Sequence, residues 1–382
     1  MIYLDWAATA KPKKDILRES LEESLTLYGN PSSVHDTGVS SKEVLNRERD
    51  NISKILNCDN SQIYFTSGGS ESNNLILLSF LKKHGTGEVI TTSIEHPSVG
   101  EPIETLNQFG WKIKRINPDT NGIIQCNKVL KSINDKTKII SIIYVHNETG
   151  VIQPLKDIVE SVRKKENEIG KKVHIHIDGV QAVGKITIDL KDLDIDSFSI
   201  SGHKFGGPKG IGILYLKKPK NVLYRGGGQE GGIRPGTEDL FGIISISRCL
   251  KEATENLDSR VCEINRLMDQ LILGVREIGV KTIPKNRGLS DDNFIPNILS
   301  LTYPPLPGEV INRVLNSKGF MISTGSACSS NKKSTTKGIL SMGISEKEGF
   351  SSFRVSIGRD TTEKDIENFI KALEETLNEL AP

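Results

Sequence analysis

The stretch SISGHKFGGPKG, residues 199–210, sets one histidine and one lysine among residues with almost no bulk. Four glycines there are entropically expensive and need a reason. A tight turn is one reason; close approach of a flat ligand beside the Lys204 amine is another. Three further stretches carry complementary chemistry. FTSGGSESNN leads from a strand into a helix beginning near Gly69 and Ser70, a bare N-terminus of the kind that receives phosphate. No GK[ST] follows, so it is not a nucleotide P-loop. VHIHIDGVQ ends a strand on Asp178, and a buried carboxylate needs a partner such as a protonated ring nitrogen. TSIEHPS ends another strand on His96, an imidazole suited to stacking on a ring and to moving protons near neutral pH.

Amine, phosphate cradle, acid and imidazole together describe a pyridoxal phosphate site. Ser70 and the Gly69 amide take the phosphate, Asp178 the ring nitrogen and Lys204 the aldehyde, with the cofactor as electron sink. His174 and His176 alternate with Val173, Ile175 and Ile177 and share the opposite strand face. With no third ligand at a recognisable spacing they read as hydrogen-bonded sheet histidines, and no metal is expected. Of five cysteines, Cys328 alone sits among small polar residues, in STGSACSSNKKSTTKG. Low bulk and nearby Lys332 and Lys333 suit a mobile, thiolate-favouring loop that reaches the next strand only after twenty-odd residues.

These residues need a scaffold that brings strand ends together. Segments 62–67, 88–93, 111–117, 138–145, 173–178, 197–201 and 211–216 read as strands; 39–57, 70–84, 97–109, 125–134 and 154–169 have helical spacing. The alternation predicts an α/β fold with a mainly parallel seven-stranded sheet, whose ligands bind at the carboxyl ends of strands. Beyond about residue 242 the pattern changes to one long charged helix over 243–278, strands at 297–303 and 354–358, and helices near 308–318 and 363–379. The expected organisation is an N-terminal segment, 1–12, packing with the smaller domain; a large cofactor-binding domain, 13–250; and a smaller α+β domain, 251–382, carrying the cysteine loop.

Lys plus Arg number 50 against 48 Asp plus Glu, a formal charge of +2, which gives no case for nucleic acid or an anionic membrane surface. No apolar run approaches the roughly 20 residues of a membrane span. MIYLDWAATAKPKK lacks the pattern of a signal peptide and starts like a strand. The cysteine set is odd, sparse and without CxxC, so reduced thiols and a cytoplasmic protein are expected.

The chain resembles the cysteine desulfurases, a branch of the class V aminotransferase-like, fold-type I pyridoxal phosphate enzymes. The resemblance runs through YLDWAATA, YGNPSSVH, FTSGGSES, IEHPS, HNETGVIQP, IDGVQAVGK, SGHKFGGPKGIG, GGGQEGGIRPGTED, STGSACSS and FRVSIGRDTT, in family order. It implies that Lys204 binds the cofactor aldehyde, Asp178 pairs with the pyridine nitrogen, Gln181 meets the ring hydroxyl, and His96 stacks on the ring and helps move protons. Gly69, Ser70, Ser201 and His203 would hold the phosphate, with Thr237 reaching in from the second subunit of a homodimer. Asn147 would contact substrate and cofactor, and Arg354 would clamp the substrate carboxylate. Asn30 resembles a further position lining the site.

The same resemblance implies conversion of L-cysteine to L-alanine, with a persulfide left on Cys328. SACSS and the long following segment are similar to the subgroup with a long cysteine loop. That subgroup supplies sulfur to iron–sulfur scaffolds and tRNA-thiolation enzymes. Departures from the family pattern are His146 before Asn147, Pro235 before Gly236, Gly179 after Asp178 and Pro97 after His96. An aminotransferase or selenocysteine lyase of the same fold, or a non-catalytic scaffold, would be the alternatives. A transaminase has no need of the loop cysteine, and a scaffold has no need of Lys204, Asp178, His96 and Arg354.

Overall fold

The computed structural model describes residues 1–82, 85–324 and 337–380. The chain opens with strand β1 (Ile2–Tyr3) and then builds β2 (Ile63–Thr66), β3 (Glu88–Thr92), β4 (Lys112–Ile116), β5 (Thr137–Ile143), β6 (His174–Asp178), β7 (Ser197–Ser201) and β8 (Gly212–Leu216). The last seven form one sheet in the order β2-β8-β7-β6-β5-β3-β4. Strand β8 runs antiparallel to both neighbours, and the other pairings are parallel. Central strands are buried along nearly their whole length, as a sheet covered by helices on both faces requires. The edge strand β4, KIKRI, instead carries exposed lysine and arginine, which discourage pairing with another chain.

Beyond the sheet, β9 (Lys281–Ile283), β10 (Ile298–Thr302) and β12 (Ser352–Ser356) form a three-stranded antiparallel sheet, and β11 (Phe320–Met321) pairs in parallel with β1. Leu4, Met268, Leu271, Phe353 and Phe369 pack in the core of this second assembly, while Ala7 belongs to the core of the large sheet. The N-terminal strap therefore spans the two apolar cores within a few residues. Among the described residues no helix is long and apolar enough to cross a membrane.

Three expectations need correction. The single helix over 243–278 is two, Leu240–Thr254 and Leu257–Glu277. Glu255 is extended and Asn256 is left-handed, with φ 53°, a conformation asparagine tolerates better than most residues. The supposed loop between Cys328 and the next strand holds short helices at Lys337–Leu340 and Glu346–Phe350 in its later part. Ile339, Met342 and Ile344 there are buried against the large core. The strand expected at 354–358 begins two residues earlier. In addition, helix Lys14–Thr26 was not among the expected elements, although Leu17, Leu21 and Leu25 recur at four-residue spacing; Ile16 and Leu17 pack partly buried against the large core, while Leu21 and Leu25 are exposed.

Candidate active site

The shared direction of β2, β3, β6 and β7 brings their carboxyl ends to one rim, and a cavity of about 230 Å³ opens there. It is lined by Gly69, Ser70, His96, Asn147, Asp178, Gln181, Ser201, His203, Lys204 and Arg354, so these sequence-predicted residues converge. Thr237 does not line it. That residue borders a separate cleft with Tyr28 and Asn30, so Asn30 also stands away from the cavity of its own chain. Cys328 lies outside the described residues. The described chain reaches Thr324, and Ser323 exchanges backbone hydrogen bonds with Arg354 at 2.7 and 3.1 Å.

Lys204 closes a short 3-10 turn, Gly202–Lys204, immediately after β7. Its ammonium donates to the carbonyls of Ala7 and Ala8 at 2.8 and 2.9 Å, so the N-terminal strap aims the amine. Gln181 donates from Nε2 to the same Ala7 carbonyl at 2.8 Å, and its Oε1 accepts from Lys185. His203 sits beside Thr9, Nδ1 to Oγ1 3.1 Å, and burial, then the Lys204 charge, pushes it down to about 4. It is neutral at physiological pH.

The cradle is built by the start of helix Gly69–Leu78. Gly68 has φ +151°, and a Cβ on Gly69 would lie 2.4 Å from Val180 Cγ2. A side chain there would have to push the Val180 methyl aside, next to the loop that carries Asp178. Asp178 is nearly buried at the end of β6. Its Oδ1 accepts from the Val180 N–H at 3.0 Å and its Oδ2 from Asn73 Nδ2 at 3.0 Å. Asn73 also donates to Ser98 Oγ at 2.9 Å. His96 caps helix Pro97–Gln108, with its Nδ1 accepting from the Ser98 N–H at 3.1 Å and lying 2.8 Å from Ser98 Oγ. With Nδ1 an acceptor, the neutral ring carries its proton on Nε2. Burial lowers the His96 pKa against the opposing pull of Asp178, so the ring is neutral at physiological pH.

Arg354, on β12, is almost wholly buried. It donates to the Asn147 carbonyl at 2.8 Å and to Asp5 Oδ1 at 2.9 Å, and its Nε has no hydrogen-bond partner. Sequence reasoning missed Asp5, Asn73, Ser98 and the carbonyls of residues 7 and 8. A polar asparagine inside a short helix and an aspartate inside YLDW were the available signals.

The structure also accounts for three departures from the family pattern. Pro97 occupies the first helical position, where a missing N–H costs nothing. The Phe198 ring fills the space a Cβ would take on Gly179, 1.9 Å away. His146 is buried against Thr149, pushed down to about 3 by burial and the Arg354 charge, and does not line the cavity.

An anion cradle at a helix N-terminus, a buried carboxylate and a lysine amine lining one cavity fit pyridoxal phosphate. The family described as Aminotransferase class-V matches residues 2–369. The chain is 34% identical over 376 residues to the cysteine desulfurase IscS of Clostridium botulinum, covering 97% of this chain and 93% of that protein. The chain belongs to the class-V aminotransferase family, among its cysteine desulfurases. A second cysteine desulfurase, from Methanosarcina thermophila, is 34% identical across 99% of this chain and 92% of its own. A solved NifS-like protein superposes with a TM-score of 0.91 at 32% identity, covering 99% and 100% of the two chains. A structure described as SspA in complex with cysteine gives 0.80 at 28% identity, covering 94% and 99%. As a cysteine desulfurase the chain is a pyridoxal phosphate-dependent enzyme.

Proposed function

We propose that the protein removes sulfur from L-cysteine, releases L-alanine and leaves the sulfur as a persulfide on Cys328. The observation that carries this reading is the convergence of the Lys204 amine, the Asp178 carboxylate, the Gly69–Ser70 cradle and the Arg354 guanidinium on one cavity. When bound, the cofactor supplies an electron-withdrawing ring that acidifies the substrate α-carbon. Gly69, Ser70, Ser201 and His203 hold its phosphate, Asp178 its ring nitrogen and Gln181 its ring hydroxyl. Asn147 and Arg354 orient the amino acid, the guanidinium fork suiting a carboxylate.

His96 was expected to share the α-proton transfer with Lys204. Its Nδ1 is already an acceptor for Ser98, so its Nε2 acts as a donor toward the cavity. That leaves the Lys204 amine to take the α-proton. The Cys328 thiolate then bonds to the substrate sulfur as the carbon–sulfur bond breaks, and the electron pair stays with the alanine-forming fragment, which takes up a proton.

The working protein is a homodimer in the cytoplasm, handing sulfur to an iron–sulfur scaffold or a tRNA sulfurtransferase. Tyr28, exposed in the cleft that Thr237 borders, with Leu25 and Val34 exposed nearby in sequence, supports a covered face at which Thr237 reaches the partner's cavity. The chain divides into the strap 1–12, a large domain to about residue 250 and a smaller domain beyond, with the left-handed Asn256 near the seam.

Incubation with L-cysteine, reading alanine release and added sulfur mass together, tests the reaction. Wild type should release alanine and carry sulfur on the peptide containing Cys328. Cys328→Ser should bind the cofactor and cysteine but lose alanine production by a factor on the order of a hundred or more, because a hydroxyl is a poor nucleophile. Sulfur on Cys58, Cys126, Cys249 or Cys262, or normal turnover of Cys328→Ser, would sink the persulfide step.

A further inference from the structure

His174 and His176 are histidines of the central strand that the desulfurase chemistry does not use. Both belong to a line of hydrogen bonds running along β6 toward the cavity. Lys220 Nζ lies 3.2 Å from His174 Nδ1, and His174 Nε2 lies 2.8 Å from Ser197 Oγ. Ser197 Oγ lies 2.8 Å from His176 Nδ1, His176 Nε2 lies 3.0 Å from Asn73 Oδ1, and Asn73 Nδ2 lies 3.0 Å from Asp178 Oδ2.

The two ends set the direction of every link. A lysine ammonium has only protons to give, and a carboxylate has only lone pairs. Asn73 must therefore turn its NH2 toward Asp178, which leaves Oδ1 facing His176. His176 in turn carries its proton on Nε2 and accepts at Nδ1. Ser197 spends its single proton on that Nδ1 and accepts from His174 Nε2, and His174 accepts from Lys220. Asn73, His176 and Ser197 are fully buried, so water does not offer an alternative partner. Burial also pushes His176 down to about 3, in keeping with one proton on its ring.

All five hydrogen bonds thus run in one direction along the line, each donor on the Lys220 side and each acceptor on the Asp178 side, and aligned hydrogen bonds polarise one another in a dry interior. Asp178 receives the Asn73 amide on Oδ2 and the Val180 N–H on Oδ1, which leaves its remaining lone pairs for the cavity. The second proton of Asn73 goes to Ser98 Oγ, whose own proton goes to His96 Nδ1. One asparagine therefore orients both the acid and the imidazole of the site.

We infer that His176, acting through Asn73, is a positioning residue that holds Asp178 as an acceptor turned toward the cofactor's ring N–H. This rests on the cofactor reading above. The test compares binding of pyridoxal phosphate with binding of its 1-deaza analogue, in which carbon replaces the ring nitrogen, to the full-length apoprotein. Wild type should prefer the natural cofactor. His176→Leu should weaken pyridoxal phosphate about tenfold, the equivalent of one hydrogen bond to a charged group, and the analogue by less than about twofold. His176→Gln, whose side-chain amide keeps a donor facing Asn73, should restore the preference. Should melting of the apoprotein show that His176→Leu does not fold, Ser197→Ala breaks the same line with a smaller loss of volume and should narrow the preference in the same sense. Equal weakening of both ligands, or no weakening of either, overturns the inference. A wild-type apoprotein that binds neither ligand overturns the cofactor reading itself, and the inference with it.

Discussion

At the scale of single residues, Arg354 is held before substrate arrives. Asp5 and the Asn147 carbonyl take two of its nitrogens, so the fork is aimed and its Nε has no partner. Arg354→Lys keeps the charge but loses the planar fork and leaves Asp5 with a misplaced partner. The KM for L-cysteine should rise about tenfold or more with a smaller change in kcat, read from saturation curves. Unchanged saturation would move the clamp to another arginine. Glu95, one residue before His96, gives a prediction in pH. Its Oε1 accepts from Thr92 Oγ1 and the Ile143 N–H, while Oε2 is buried without a partner, and burial pushes its pKa up to about 8. A folded-state pKa above the unfolded one means that the carboxyl favours folding below its ordinary range and loses that contribution as pH climbs toward 8. Glu95→Gln mimics the protonated form at every pH. The melting temperature of Glu95→Gln should match wild type near pH 5 and exceed it progressively up to about pH 8, the underlying difference in unfolding free energy growing by at most about 1.4 kcal/mol per pH unit. A gap that stays constant with pH would show Glu95 ionised in the folded protein.

At the scale of elements, the break at Asn256 separates two helices that the charge pattern alone runs together. Asn256→Gly should leave the melting temperature nearly unchanged, because glycine accepts φ 53° freely. Asn256→Val should lower stability by about 1–2 kcal/mol in thermal or denaturant unfolding. Equal effects of the two would mean the left-handed turn is not needed. The strands of the large sheet were legible because apolar runs alternate with glycine- and serine-rich ends, and those same ends carried Lys204, Asp178 and Ser70. Helix Lys14–Thr26 was missed although its leucines are spaced four apart, since only Ile16 and Leu17 at its start pack on the core and Leu21 and Leu25 stay exposed among charges. Asn73 was hidden for another reason: its partner Asp178 is 105 residues away, and only the stacking of a helix on the central strand joins them. Asp5 meets Arg354 across 349 residues in the same manner. Local composition reports what a residue can do; it does not report whom it will face.

At the scale of the whole molecule, the separation of Thr237 from the cavity of its own chain gives a complementation test. Lys204→Ala and Thr237→Ala subunits, each impaired alone, should form mixed dimers in which one site has both residues intact. Such mixtures should bind about one cofactor per dimer and recover activity above either parent; no recovery would place Thr237 outside the partner's site. The fit of the Phe198 ring against Gly179 bears on which substitutions the fold accepts. A Cβ at 179 would enter the space held by the ring, so the two positions cannot drift independently. Gly179→Ala alone should lower the melting temperature, and a smaller side chain at 198 should recover it. With the ring in place, a side chain at 179 becomes acceptable only together with a change at 198, so the two positions behave as a single site under substitution.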